Sequence, residues 1–167
     1  GLFWHMYDDD RRQRVGVLWA RGNGWVAMSY VATLKELDPK SPEFVRLSRR
    51  FRRQMDALVA VQDPDSLLWH TVLDHPETYI ETSASAMILS SLVHASRQGL
   101  YRAKDPTVIQ RTWAALANKV DQDGRVVGVS GGTMPEKLEV YASKITGTYT
   151  WGTGAFLMAA ASLHDKK

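Results

Sequence analysis

The sequence predicts an all-α fold of the α/α-toroid type, and three observations predict it. Helices poor in charge alternate along the chain with amphipathic helices rich in Arg and Lys. Long loops with short extended pieces separate them. Three aromatic-rich stretches run straight into helices whose first turns are built from Gly, Ser, Thr and Ala: Leu18-Trp19-Ala20-Arg21-Gly22-Asn23-Gly24-Trp25, Leu68-Trp69-His70 with Tyr79 through Ala86, and Tyr149-Thr150-Trp151-Gly152-Thr153-Gly154-Ala155-Phe156. In such a toroid the polar-poor helices form an inner layer and the charged ones an outer layer.

The first helix is expected over 24–37, with Trp25, Met28, Val31, Ala32 and Leu34 on one side and Asp38-Pro39 as its stop. Ser41-Pro42-Glu43 supplies an N-cap, a Pro at the first helical position and a first-turn acid for a second helix over 42–62. Its apolar stripe is Phe44, Leu47, Phe51, Met55 and Leu58, which leaves Arg46, Arg49, Arg50, Arg52 and Arg53 on the outer face. That face reads either as solvated or as a surface for a polyanion. A third helix is expected over 82–98, carrying Met87, Ile88, Leu89, Leu92 and Val93. Asp105-Pro106 opens a fourth over 106–120, with Val108, Ile109, Trp113, Leu116 and Val120 as its stripe. The last, over 152–164, carries Phe156, Leu157, Ala160 and Leu163, and Met28, Met87 and Met158 are expected in the core. Leu67–Val72 and Val126–Val129 are the expected strands, in small hairpins over the helix ends.

Helices 24–37, 82–98 and 152–164 are thus the inner members, and 42–62 and 106–120 the outer ones. With 167 residues, 44% hydrophobic, the chain holds one domain, 1–167, with its own core. A toroid closes with about six hairpins, and the chain has material for about three. The expectation is therefore half a barrel, with apolar inner surface left for another chain or segment to cover. The opening Gly1-Leu2-Phe3-Trp4-His5 reads as the later part of something longer, which leaves the compartment open between cytoplasm and periplasm.

The formal charge of +3 is too small to argue for nucleic acid, which is not expected as a partner, and no apolar run approaches the roughly 20 residues that span a bilayer. With no cysteine, disulfides, thiolate metal sites and Cys nucleophiles are excluded. His70 and His75 have the look of a metal pair. Four intervening residues in a Pro-containing loop without a third ligand favour loop hydrogen bonding instead, so no metal is expected. Gly128–Gly132 lacks the Lys and following helix of a phosphate loop and reads as a flexible rim. Asp8-Asp9-Asp10 before Arg11-Arg12 reads as a solvated turn, and Glu81 as a first-turn acid on a helix dipole.

Flat rings with a polar edge beside small-residue helix starts suit a sugar-like ligand. At these loops the chain resembles the glycosyl hydrolase family 88/105 group, the unsaturated glucuronyl and rhamnogalacturonyl hydrolases. The matching pieces are Gly1–His5, Trp19-Ala20-Arg21-Gly22-Asn23-Gly24-Trp25, Leu68–Asp74 with Tyr79–Ser83, Gly128–Thr133 and Tyr149–Gly154. They span essentially the whole chain, and the loop sequences are closer to the family 105, rhamnogalacturonyl type.

The resemblance implies an (α/α)6 barrel, with this chain as its C-terminal part. It implies hydrolysis of oligosaccharides bearing a 4,5-unsaturated uronic acid at the non-reducing end. In that family an Asp protonates the vinyl ether, water adds at the neighbouring carbon, and no metal or organic cofactor takes part. The family's catalytic Asp residues belong to the first half of the barrel, so no catalytic residue is assigned here. The matching positions are substrate-binding ones: His5 on the uronate, Arg21 toward its carboxylate, Trp25 against the ring, and Trp151 and Gly152 at the pocket border. Each has a plainer reading as well: a loop-tying ion pair for Arg21, core packing for Trp25, a frayed terminus for His5. As a whole, a non-catalytic carbohydrate-binding module or a helical assembly module is the alternative to a hydrolase.

Overall fold

The computed structural model describes residues 1–164. Six helices and four two- or three-residue strands make up the regular structure: β1 (Met6–Asp8), β2 (Gln13–Val15), α1 (Ala20–Glu36), α2 (Pro42–Ala60), α3 (Thr82–Arg97), α4 (Val108–Ala117), β3 (Val129–Ser130), α5 (Leu138–Ala142), β4 (Thr146–Gly147) and α6 (Thr150–His164). No described helix is long and apolar enough to cross a membrane.

The layering follows from charge. α3 has almost no polar surface to offer water, and it packs between α1 on one side and α6 on the other. The amphipathic α2 and α4 lie outside, α2 on α1 and α4 on α3. This is the expected arrangement of inner and outer helices in an α/α array. The close approach of α1 to α3 depends on Gly24, where a Cβ would sit 2.9 Å from the Met87 Cβ. Phe51, Met55 and Leu58 from α2 fill the space below α1 and α3 together with Trp69, Ile88 and Leu92. A second cluster joins Leu68, Met87 and Leu89 to Leu116, Ala155 and Ala159.

Local signals account for the helix ends. Ser41 caps α2 by accepting from the Phe44 amide (3.1 Å), with Pro42 at the first helical position. Asp105 does not cap α4. It takes the Thr107 amide and hydroxyl in a turn, and the helix starts at Val108. α1 begins at Ala20, four residues before the expected start, because Trp19 is already extended and Asn23 N closes the first turn on Trp19 O.

The acidic run 8–10 ends β1 and enters the exposed turn that joins it to β2, as a solvated turn should. Two expectations need correction. The segments 67–72 and 126–129 do not form hairpins of their own: they make isolated bridges (Trp19 with Val72, His70 with Ile80, Val120 with Val126), and Val129–Ser130 pairs with Thr146–Gly147. α6 buries its small residues Gly152, Ala155, Ala159 and Ser162 against the array, leaving Leu157 60% and Met158 49% exposed rather than in the core. Small side chains let α6 lie close to α3, and that closeness turns Leu157 and Met158 outward, while Phe156 and Leu163 stay partly buried against the second cluster.

Candidate substrate-binding site

The N-terminal ends of α1, α3 and α6 meet, and backbone hydrogen bonds between the preceding loops hold them there. Ala20 N donates to Thr71 O and Leu73 N to Leu18 O, joining the first loop to the second. Glu81 N donates to Trp69 O and Thr82 N to Gly128 O, joining the second loop to the Gly-rich segment.

Arg21 lies at the centre of this junction, 5% exposed. Its Nη1 donates to Ser130 O (2.9 Å), Ser130 Oγ (3.0 Å) and Ser83 Oγ (3.3 Å), and its Nη2 to Gly131 O (2.8 Å). The guanidinium lies between two indoles, 4.9 Å from the Trp19 ring and 5.6 Å from the Trp151 ring. Burial works against its charge, and Glu81, with an oxygen 3.7 Å away, offsets part of that cost.

Glu81 is fully buried and is the true N-cap of α3, with its carboxylate accepting from the Ala84 amide. It also accepts from the Ser130 amide (2.9 Å) and the Ser83 hydroxyl (2.7 Å). One carboxylate therefore fixes the start of α3, the β3 strand and Arg21. Expected in the first turn of α3, Glu81 sits one position earlier, at the N-cap. Its partners were not legible in the sequence, because they lie 49 and 60 residues away.

His5 packs against the other side of Trp19, with ring centroids 4.2 Å apart, and its Nδ1 hydrogen-bonds the Tyr141 hydroxyl at 2.5 Å. Its loop is anchored by His5 N to Val17 O, so this terminus is not frayed. Burial lowers the imidazole's proton affinity below the usual histidine range, and the nearby Arg21 charge acts in the same direction. Trp151 stacks on Tyr149 (4.6 Å, 13°) and donates its Nε1–H to Ser130 O (3.2 Å). It remains partly exposed.

Trp25 lies one turn beyond Arg21 on α1 and is 52% exposed, which removes the core-packing reading. Gly152 borders the site through packing: a Cβ there would fall 2.2 Å from Val129 Cγ2. Gly152→Ala is expected to destabilise the protein by about 1–3 kcal/mol through overpacking, read as a lower urea midpoint at unchanged slope.

Tyr79, two residues before Glu81, was singled out in the sequence only as part of a motif. Its buried hydroxyl makes no well-formed hydrogen bond among the described residues, and burial raises its pKa above the ordinary tyrosine value, against the pull of nearby Thr71 and Ser130. The two loop histidines go separate ways. His70 pairs with Thr78 O and faces Asp63 (3.4 Å), whereas His75 pairs with Glu77 (2.7 Å). Among the described residues no cluster of three or more His, Asp or Glu side chains could hold a metal ion.

Comparison with known proteins fits this geometry. The family model described as Glycosyl Hydrolase Family 88 matches residues 1–166. The chain is 36% identical over 99% of its length to the unsaturated rhamnogalacturonyl hydrolase YesR of Bacillus subtilis, covering 47% of that protein. It is 31% identical over 88% of its length to an unsaturated 3S-rhamnoglycuronyl hydrolase of Formosa agariphila, covering 38% of it. Its fold superposes with a TM-score of 0.92, at 24% identity, on a possible member of glycoside hydrolase family 105 from Salmonella enterica, over 97% of this chain and 44% of that one. The chain thus spans about half the length, or less, of the relatives it matches. With a helical array of inner and outer layers and a family match across nearly every residue, the chain belongs to the glycosyl hydrolase 88/105 group.

Proposed function

We propose that this chain supplies the substrate-binding side of an unsaturated uronyl hydrolase, of the rhamnogalacturonyl type, acting on oligosaccharides with a 4,5-unsaturated uronic acid at the non-reducing end. The observation that carries the proposal is the setting of Arg21. Its Nη1 donates to Ser83 and Ser130 and its Nη2 to Gly131, whereas Nε has no hydrogen-bond partner among the described residues. The edge carrying Nε–H and Nη2 is the side-on fork that matches a carboxylate. Trp25, 52% exposed, offers a ring for the sugar, Trp151 offers its exposed edge, and His5, whose proton affinity burial lowers, offers a hydrogen-bonding nitrogen.

The chemistry implied is acid-catalysed hydration of the vinyl ether. The proton goes to one alkene carbon and water to the other, and the resulting hemiketal opens and expels the remaining saccharide. The family's proton-donating Asp belongs to the other half of the barrel, so that half, covalently joined or supplied by another chain, is the required partner. It would also cover the apolar side chains that α6 leaves exposed, Leu157 and Met158.

The test is to mix the purified chain with unsaturated rhamnogalacturonan disaccharide, measuring binding by calorimetry and turnover by the ultraviolet absorbance of the conjugated double bond. Binding without turnover is expected, and Arg21→Ala is expected to weaken it by about 1.5–3 kcal/mol, the worth of a charged hydrogen-bond pair. Unchanged affinity in a folded Arg21→Ala variant would sink the assignment.

A further inference from the structure

The outer surface of α2 holds a feature that the candidate site does not use. Lys40, Arg46, Arg49, Arg50 and Arg53, with Pro42 and Val45, line an open groove of about 430 Å³. Between positions 40 and 53 there are six basic residues and one acid, Glu43, a local charge of +5 inside a chain whose formal charge is +3.

Elsewhere Arg11 faces Asp8, Arg111 pairs with Asp105 and Arg125 with Asp121 and Asp123, whereas the exposed Arg12, Arg14, Arg97 and Arg102 make no ion pair among the described residues. None of the five groove cations makes an ion pair among the described residues. Arg46, Arg49, Arg50 and Arg53 stand three and four positions apart, the spacing at which like charges on a helix repel. The fold therefore carries an uncompensated row of planar guanidinium groups about 10 Å long at the α-helical rise, beside an apolar floor in which Val45 is 51% exposed.

We propose that this groove is a second binding site, for an internal stretch of an acidic polysaccharide. A row of forked cations suits a series of carboxylates better than it suits a single ion. Pro42 and Val45 suit the carbon–hydrogen faces of sugar rings, and no aromatic ring lines the groove to stack a nucleobase. The groove opens at the α1–α2 connection, beyond the C-terminal end of α1. α2 runs back along α1, so the Lys40 end of the groove lies about 20 Å from Arg21 by helical rise, while the Arg53 end comes level with the start of α1, where Gln54 donates to Asn23 O. A polymer held on α2 leaves the Arg21 junction free and keeps the protein on the material that yields its substrate. The polysaccharide identity rests on the uronide reading of the Arg21 site; the presence of an anion-binding groove does not.

The experiment is affinity electrophoresis of the chain in gels containing de-esterified polygalacturonate, neutral dextran or single-stranded RNA, with disaccharide binding measured in parallel. Polygalacturonate is expected to retard the protein at low salt, with retardation lost on raising salt well above the physiological range. The Arg46→Gln/Arg50→Gln/Arg53→Gln variant is expected to lose that retardation about tenfold, with disaccharide affinity unchanged. Arg21→Ala should show the opposite pattern. Absence of retardation, or retardation unaffected by the triple substitution, overturns the groove. Equal or stronger retardation by RNA overturns the polysaccharide assignment. If Arg21→Ala leaves disaccharide binding intact while the groove variant still loses polymer, the uronide site fails and the groove stands.

Discussion

Glu81→Ala is expected to destabilise the protein by about 3–5 kcal/mol, the loss typical of breaking a buried ion pair from one side. Three losses coincide. The variant leaves the Arg21 guanidinium, 5% exposed, without its counter-charge. It removes the carboxylate that caps α3 through the Ala84 amide. It also strips the Ser130 amide and Ser83 hydroxyl of their acceptor inside the protein. For a domain of this size the change corresponds to a melting temperature lower by about 10 °C, measured by thermal and urea unfolding. Glu81→Gln keeps an acceptor oxygen of similar reach but not the charge, so an intermediate loss is expected. Pairing Arg21→Met with Glu81→Leu should cost less than the sum of the two single changes, because no lone charge is then left buried. A loss below about 1 kcal/mol for Glu81→Ala would mean that the pair is effectively solvated.

This cluster also shows where sequence stops being informative. The helices were legible because their periodicity is local: Phe51, Met55 and Leu58 recur at helical spacing and are fully buried. The inner and outer layers followed from which helices carry Arg. The family motifs marked Arg21, Trp25, Trp151 and Gly152 as a group, and three loops do bring their elements to one end. What could not be read was the wiring between them. Arg21 reaches Ser130 and Gly131 across 109 and 110 residues, and His5 reaches Tyr141 across 136. No local pattern encodes such a pairing. The facing of α6 was read only in part, for a different reason. Phe156 and Leu163 of its expected stripe pack partly buried against the core, but Leu157 and Met158 face out, because close packing against α3 favours the small residues and Gly152 has no room for even a methyl group.

Aromatic residues in loops posed the same ambiguity, and Trp69→Ala separates its two readings. The motif Leu68-Trp69-His70-Thr71 looks like part of a ligand wall, yet Trp69 has no exposed surface and its Nε1–H donates to Leu58 O of α2 (2.7 Å). Truncation is expected to destabilise by about 3–5 kcal/mol, as for other fully buried tryptophans. Trp69→Phe, which keeps most of the packing but loses the indole donor and leaves Leu58 O one partner short, should cost about 1 kcal/mol beyond the volume change. Urea unfolding measures both. Disaccharide affinity in the folded Phe variant should stay within about twofold of the parent, a difference of under 0.5 kcal/mol. The coupling to function is indirect and runs through the backbone, since Trp69 O accepts from Glu81 N and Trp69 N donates to Ser85 Oγ (3.1 Å). Trp69 thus holds the start of α3, Glu81 holds Arg21 against it, and Arg21 holds the Gly-rich loop beneath Trp151. If Trp69→Ala stayed as stable as the parent but lost the ligand, Trp69 would belong to the binding surface and this chain of support would be wrong. The geometry requires the reverse: stability falls first, and binding only as the junction loosens.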